Sequence, residues 1–258
     1  MRSQREVRVA KDCVIVIPSR MGSTRFPAKV LALLAGKPIV RWCWEAAVAA
    51  DVGPVLVATE NQKVVDAVKA FGGDAVMTSD QCQSGSDRVY EAAKKRTEQI
   101  IINLQGDQPL IRAETIRAVA KVLEDNKKAD IATAVMPLSA ETELPSAARR
   151  IDNPNVVKAA MGKDGRCLYF SRSKIPFERN PGARYWEHLG IYGYRLAALE
   201  RFVKLPPSAL EKTESLEQLR ALEDGMAIFA AVVDDVPVAI DTPDDLKRAE
   251  SLLVEKTS

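Results

Sequence analysis

The sequence carries a single histidine among 258 residues. That excludes zinc and iron sites built on two or three imidazoles. Its four cysteines, Cys13, Cys43, Cys82 and Cys167, lie far apart with no Cys-x-x-Cys pair. This is not the pattern of a disulfide-stapled secreted scaffold, and a reducing, cytoplasmic compartment is expected. Charge of one sign is not in excess: 37 Lys and Arg stand against 35 Asp and Glu, a net charge of +2. No nucleic-acid partner is therefore expected, and any phosphate chemistry must come from local clusters. No apolar run approaches the ~20 residues of a membrane span. Residues 1–11 are charged where a secretory signal is apolar, so no membrane partner is expected either. Both the Gly-x-Gly-x-x-Gly dinucleotide fingerprint and the Walker phosphate loop are missing.

What is present is ordinary for a globular α/β protein: 47% hydrophobic and 28% charged residues. Short apolar runs at 13–17, 55–58, 75–77, 100–104 and 131–135 predict strands. Between them, helical patterns occupy 40–50, 62–71, 86–96 and 113–126. Apolar, non-alternating strands interleaved with helices predict a mostly parallel sheet covered on both faces. After Met136 the chain becomes rich in Pro, Asn, Gly and charge. Short strands are predicted at 156–160, 167–170 and 188–194, and helices at 196–203 and 210–222. A strand at 228–232 and a helix at 244–254 close the chain. The expected organisation is one domain over 12–254, with an inserted subdomain at 137–215.

In open parallel sheets ligands sit beyond the carboxyl ends of the strands, so the residues that follow each strand are the candidates. The first strand leads into a long loop, residues 18–29, holding Arg20, Arg25 and Lys29 with Gly22 and several hydroxyls. Two arginines and a lysine can clamp a polyphosphate, and a glycine lets backbone N–H groups approach it. Thr78 and Gln83-Ser84-Gly85-Ser86-Asp87-Arg88 follow the third strand. They suit either a flat base pocket or a serine-capped helix. Gln105-Gly106-Asp107-Gln108 ends a buried strand, where Asp107 is placed to hold magnesium. Asp241, in Asp241-Thr242-Pro243, reads first as part of a helix start and gains a functional role only alongside Asp107. Along 188–194, His188, Gly190, Tyr192 and Tyr194 share one strand face, a plausible sugar floor. Leu216, Leu219 and Leu222 form a buried helical stripe that leaves Glu217 and Gln218 to one side.

In order and spacing these motifs, together with Leu168-Tyr169-Phe170-Ser171-Arg172 and Ile175-Pro176, resemble the 3-deoxy-manno-octulosonate cytidylyltransferase family over nearly the whole chain. The resemblance implies a Rossmann-like nucleotidyltransferase fold with a sugar-binding and dimerisation insert. It implies conversion of CTP and 3-deoxy-manno-octulosonate (Kdo) to CMP-Kdo and pyrophosphate for lipopolysaccharide synthesis, with Mg2+ as cofactor and a homodimer as the assembly. Carried over by position, Arg20 and Lys29 hold the triphosphate with Arg25 in support. Thr78, Ser84, Gly85, Arg88 and Gln105 surround the nucleotide. Gln105, Arg172, His188, Tyr192, Glu217 and Gln218 form the sugar pocket, and Asp107 and Asp241 ligate metal. Arg20, Lys29, Asp107 and Asp241 are the expected catalytic set. Three positions depart from the family pattern: Ala28 stands where glycine is common, Gln108 where glutamate is common, and Ser86 where threonine is frequent. The alternatives are activation of another sugar acid, 8-amino-Kdo or sialic-acid-like, and a non-catalytic nucleotide sensor on the same fold.

Overall fold

The first strand, β1 (Cys13–Pro18), shows how the two sides of the molecule are built. Its residues alternate between two cores. Cys13, Ile15 and Ile17 enter one, Val14 and Val16 the other, and all are buried. A strand apolar on both faces belongs inside a parallel sheet with a helical layer on each side. The computed structural model describes residues 12–22, 26–138, 147–235 and 238–255.

After β1 come a 3-10 turn (Lys29–Leu31) and a small hairpin, β2 (Leu33–Leu34) and β3 (Lys37–Pro38). Next are α1 (Ile39–Ala50), β4 (Val55–Thr59), α2 (Gln62–Ala70), β5 (Asp74–Met77), α3 (Gly85–Ala93), β6 (Ile100–Asn103) and α4 (Ala113–Asp125). The chain continues through β7 (Ile131–Leu138), α5 (Ala147–Asp152), β8 (Lys158–Met161), β9 (Cys167–Ser171) and the long β10 (Tyr185–Arg195). It ends with α6 (Leu196–Lys204), α7 (Ala209–Glu214), α8 (Gln218–Glu223), β11 (Ile228–Val232) and α9 (Pro243–Glu255). The main sheet runs β11-β7-β10-β6-β1-β4-β5. Every neighbouring pair on this path is parallel except those made by β10, which is antiparallel to both β6 and β7. One helical layer holds Val40, Val64 and Val119 of α1, α2 and α4; the other holds Val89, Phe202 and Leu219 of α3, α6 and α8.

The predicted insert at 137–215 is not a separate layer. Its longest strand, β10, lies inside the main sheet, and α6 packs on the core behind it. Among the described residues, the β8–β9 hairpin alone branches off the sheet, pairing with β10 through Glu187 and Lys158. Lys158 is fully buried there. Its ammonium donates to the carbonyls of Asn153 (2.9 Å), Val156 (2.6 Å) and Arg172 (2.6 Å), so the buried charge is met by three backbone dipoles.

The single helix predicted at 210–222 is two. Ser215 adopts a left-handed backbone, φ 53°, and ends α7. The break turns Glu217 and Gln218 inward, and Gln218 is buried rather than on a solvated helix face. Sequence periodicity misses this because the stripe Leu216, Leu219 and Leu222 lies wholly after the break and does not report it.

A third, small core joins Leu34 and Ile39 to Ile240 and Ala249 near the far end of the chain. Burying an isoleucine side chain stabilises by roughly 1.5–3 kcal/mol. Fully buried Ile240 therefore anchors the residue that follows it, Asp241, beside the loop after β1.

Candidate active site

A cleft of about 320 Å³ opens where β1 and β6 end, lined among others by Arg20, Lys29, Ser84, Gln105, Asp107 and Asp241. At its centre Lys29 Nζ donates to Asp107 Oδ2 at 2.8 Å and to Asp241 Oδ1 at 3.0 Å. The Lys29 side chain is 11% exposed, the two aspartates 31% and 39%. Burial works against the lysine charge, but the two carboxylates outweigh it and hold the ammonium above its ordinary value. Asp241 is not needed as a helix cap. Thr242 Oγ1 accepts from the Asp245 amide at 3.2 Å, and the Asp245 carboxylate accepts from the Thr242 amide at 2.9 Å, which is a capping box. The bland reading of Asp241 as a cap therefore gives way to its contact with Lys29.

The turn that carries Asp107 depends on a glycine. A Cβ on Gly106 would stand 2.9 Å from both the Pro18 carbonyl and Ser19 Oγ, so only glycine lets β6 and β1 deliver their ends so close together. Ser84 caps α3 with a full capping box to Asp87, and it lines the cleft as well, so both sequence readings of this serine hold together. Gln105 Nε2 donates to Asn103 Oδ1 at 3.1 Å. Gly85 lies opposite: a Cβ there would meet Gln105 Oε1 at 3.6 Å. Arg88 reaches the cleft wall but is only 4% exposed, and its Nη1 donates to Thr78 Oγ1 at 2.5 Å. Thr78 thus faces Arg88. Arg20 is exposed at the cleft mouth. Arg25 lies outside the described residues.

Arg172, His188, Tyr192 and Gln218 are not among the residues that line this cleft. Glu217 lines an adjoining cavity of about 690 Å³ that shares Gln83 and Ser84 with the cleft. Ser86 Oγ donates to Glu217 Oε2 at 2.9 Å, tying α3 to α8. Burial pushes the Glu217 carboxyl up, partly offset by the Ser86 and Ser84 hydroxyls. His188 packs edge-on to Phe170 and beside Tyr192, with ring centroids at 4.9 and 5.4 Å. Its burial pushes the imidazole down to about 3, so it is neutral at neutral pH. Arg172 uses its guanidinium on the carbonyls of Glu214 (2.6 Å), Pro154 (3.1 Å) and Ser215 (3.3 Å). Gln108 crosses over the β10 strand: a Cβ on Gly190 would lie 3.0 Å from its Nε2.

A family model for cytidylyltransferases matches residues 14–228. The 3-deoxy-manno-octulosonate cytidylyltransferase of Elusimicrobium minutum is 51% identical over 247 residues, covering 94% of this chain and 98% of its own. The chain belongs to the 3-deoxy-manno-octulosonate cytidylyltransferase family. The relative from Paramagnetospirillum magneticum is 47% identical, over 93% of this chain and 97% of its own. The solved structure of CMP:2-keto-3-deoxy-manno-octonic acid synthetase complexed with CTP is 38% identical, with a TM-score of 0.88 over 95% of this chain and 99% of that one. A cytidylyltransferase from Leptospira borgpetersenii, 19% identical with a TM-score of 0.63, is alike in fold.

For a cytidylyltransferase of this family a divalent cation is implied, and the residues fit one of magnesium type. Two carboxylates from separate elements converge on one cationic atom, the Lys29 ammonium. Among the described residues no group of three or more His, Cys, Asp or Glu gathers. One or two protein carboxylates, with phosphate and water oxygens for the rest, is the usual magnesium arrangement.

Sequence reasoning missed Thr133. Its hydroxyl donates to the Ile191 carbonyl at 2.8 Å, at the point where β10 bulges against β7. That uses its one proton, so the 3.0 Å contact with His188 Nε2 is a donation from the imidazole. This assigns the Nε2–H tautomer and leaves Nδ1 as an acceptor. A threonine inside an apolar strand run was the available signal.

Proposed function

We propose that this cytidylyltransferase joins CTP to Kdo, releasing pyrophosphate and giving CMP-Kdo, in the cytoplasm and as a homodimer. The observation that carries the reading is Lys29 held between Asp107 and Asp241 in a cleft at the sheet's carboxyl edge. A nucleotide sensor has no use for a lysine and two acids gathered at one point. Likeness to a synthetase solved with CTP, over 95% of the chain, supports the choice of nucleotide. Likeness at 51% identity to a named Kdo cytidylyltransferase supports the choice of sugar acid.

In this reaction the anomeric hydroxyl of Kdo attacks the α-phosphorus of CTP. The bond from the α-phosphorus to the bridging oxygen breaks, pyrophosphate leaves, and the hydroxyl proton is released. No covalent enzyme intermediate is needed; the protein's work is in-line placement and charge balance. Arg20 and Lys29 neutralise the triphosphate. Ser84, Gly85, Arg88 and Gln105 bound the nucleotide, with Thr78 fixing Arg88. On the other side Arg172, His188, Tyr192, Glu217 and Gln218 shape the sugar pocket, and neutral His188 acts through hydrogen bonding rather than charge. Asp107 and Asp241 would hold magnesium, which when bound acidifies the attacking hydroxyl and offsets charge on the departing phosphates.

Gln108 favours a second reading in one respect only. Its amide lies over Gly190, where the family commonly has an acid, so a modified Kdo is the competing substrate. Pyrophosphate release from CTP and magnesium, measured with Kdo, 8-amino-Kdo and a sialic acid in parallel, tests both. Fastest release with Kdo is expected. Release only with another acid replaces the substrate, and none with any acid overturns the activity.

A further inference from the structure

Glu60 follows β4 directly and sits behind the cleft rather than on its wall. One carboxylate oxygen, Oε1, accepts from the Met21 amide at 2.9 Å. The other, Oε2, lies 2.9 Å from Arg88 Nη2, with the two side chains 19% and 5% exposed. Met21 is itself a knot. Its amide is held by Glu60, and its carbonyl accepts from the Ala28 amide at 3.2 Å. Arg20 precedes this knot and Lys29 follows Ala28, so both phosphate-facing cations are spaced by it. On its other side Glu60 balances a buried guanidinium whose Nη1 is directed at Thr78 Oγ1 and the Ser79 carbonyl.

We infer that Glu60 is a positioning residue for triphosphate recognition: its carboxylate fixes the Met21 knot that presents Arg20 and Lys29, and it neutralises Arg88 in the nucleotide wall. The inference rests on the cytidylyltransferase reading above. Physically, the loop after β1 carries like charges that repel one another, and a tether at Met21 lowers the ordering cost that phosphate binding otherwise meets. A nearly buried arginine without a counter-charge disrupts the wall it forms part of. Glu60→Gln keeps the shape and an acceptor for Met21. It removes the charge and turns an amide N–H₂ towards a guanidinium, two donors face to face.

The test starts with CTP binding to the wild-type chain by calorimetry, followed by steady-state kinetics of Glu60→Gln for each substrate. A loss of CTP affinity of about tenfold or more, with the KM for the sugar acid within about twofold of wild type, is expected. Equal weakening of both substrates, or unchanged CTP affinity, overturns the inference. If Glu60→Gln fails to fold, amide hydrogen exchange at Met21 in the wild type decides. Slowing of about tenfold or more against an open loop supports the tether, and exchange at the open-loop rate overturns it. A wild type that binds no CTP overturns the functional reading itself, and the inference with it, at the first step.

Discussion

The Ile240 amide donates to the carbonyl of Asp107 at 2.9 Å. This single backbone bond, between segments far apart in the chain, sets the spacing of the two acids by main chain rather than by Lys29. Asp107→Asn and Asp241→Asn should therefore keep the fold. Each should lower turnover by about a hundredfold or more, as loss of a preorganised charged group does. The double variant should lose little beyond either single one, because residues acting on one ion are non-additive. Turnover against magnesium concentration, with circular dichroism to check folding, decides it; a folded Asp241→Asn enzyme with normal activity removes that residue from the site.

Lys29→Ala should act on CTP and not on the sugar acid. Hydrogen bonds to charged groups are worth about 1.5–3 kcal/mol, so the CTP KM should rise roughly ten- to a hundredfold. The same change leaves Asp107 and Asp241 facing each other without their shared cation. Magnesium should then stabilise the variant against heat more than it stabilises the wild type. Melting temperatures with and without the ion give that comparison, and equal shifts in both proteins count against the arrangement.

His188 makes stability depend on pH with a definite sign. Burial lowers its imidazole from 6.5 to about 3, so between those values the unfolded chain binds the proton that the fold refuses. Stability falls as pH drops through that window, by at most ~1.4 kcal/mol per unit for this one group. Glu187 and Glu217, pushed up by burial, contribute in the opposite sense. Both remain in His188→Gln, so wild type minus variant isolates the histidine. That difference in unfolding free energy should shrink from pH 7 to pH 5; parallel curves would contradict the burial.

Ala28 adopts a left-handed backbone, φ 54°, immediately before Lys29. A side chain there costs roughly 1–2 kcal/mol, which glycine avoids. Ala28→Gly should raise the melting temperature by a few degrees, less whatever extra freedom glycine gives the unfolded chain. Thermal unfolding measures it, and a drop in melting temperature would mean that the methyl group contributes packing that outweighs the strain.

Local patterns made much of this legible. The apolar runs of β1, β4 and β6 and the helices between them are visible because parallel strands are apolar on both faces. The Gln105-Gly106-Asp107 turn is visible because a glycine and an acid end a buried strand. What stayed hidden depends on long-range geometry. The break at Ser215 comes before the stripe Leu216, Leu219 and Leu222, so that stripe does not mark it. The pairing of Lys29 with Asp241 needs the Ile240 anchor, and Glu60 looks in sequence like any polar residue after a strand. The bonds from Arg172 to the carbonyls of Pro154, Glu214 and Ser215 join segments far apart in the chain, so they too leave no local mark.

The position of β10 has a consequence for the order in which the molecule can assemble during synthesis. β6 and β7 emerge from the ribosome well before β10, yet they are not neighbours: the strand that separates them is made later. Until it arrives, β6 keeps one open edge and β7 has neither of its partners, since β11 is later still. A nascent chain that has reached only β9 therefore exposes unpaired edges, the surface on which misassociation starts. Ribosome-stalled chains released before and after residue 195 should differ sharply in protease resistance, because the half-sheets on either side can join only once that wedge is in place.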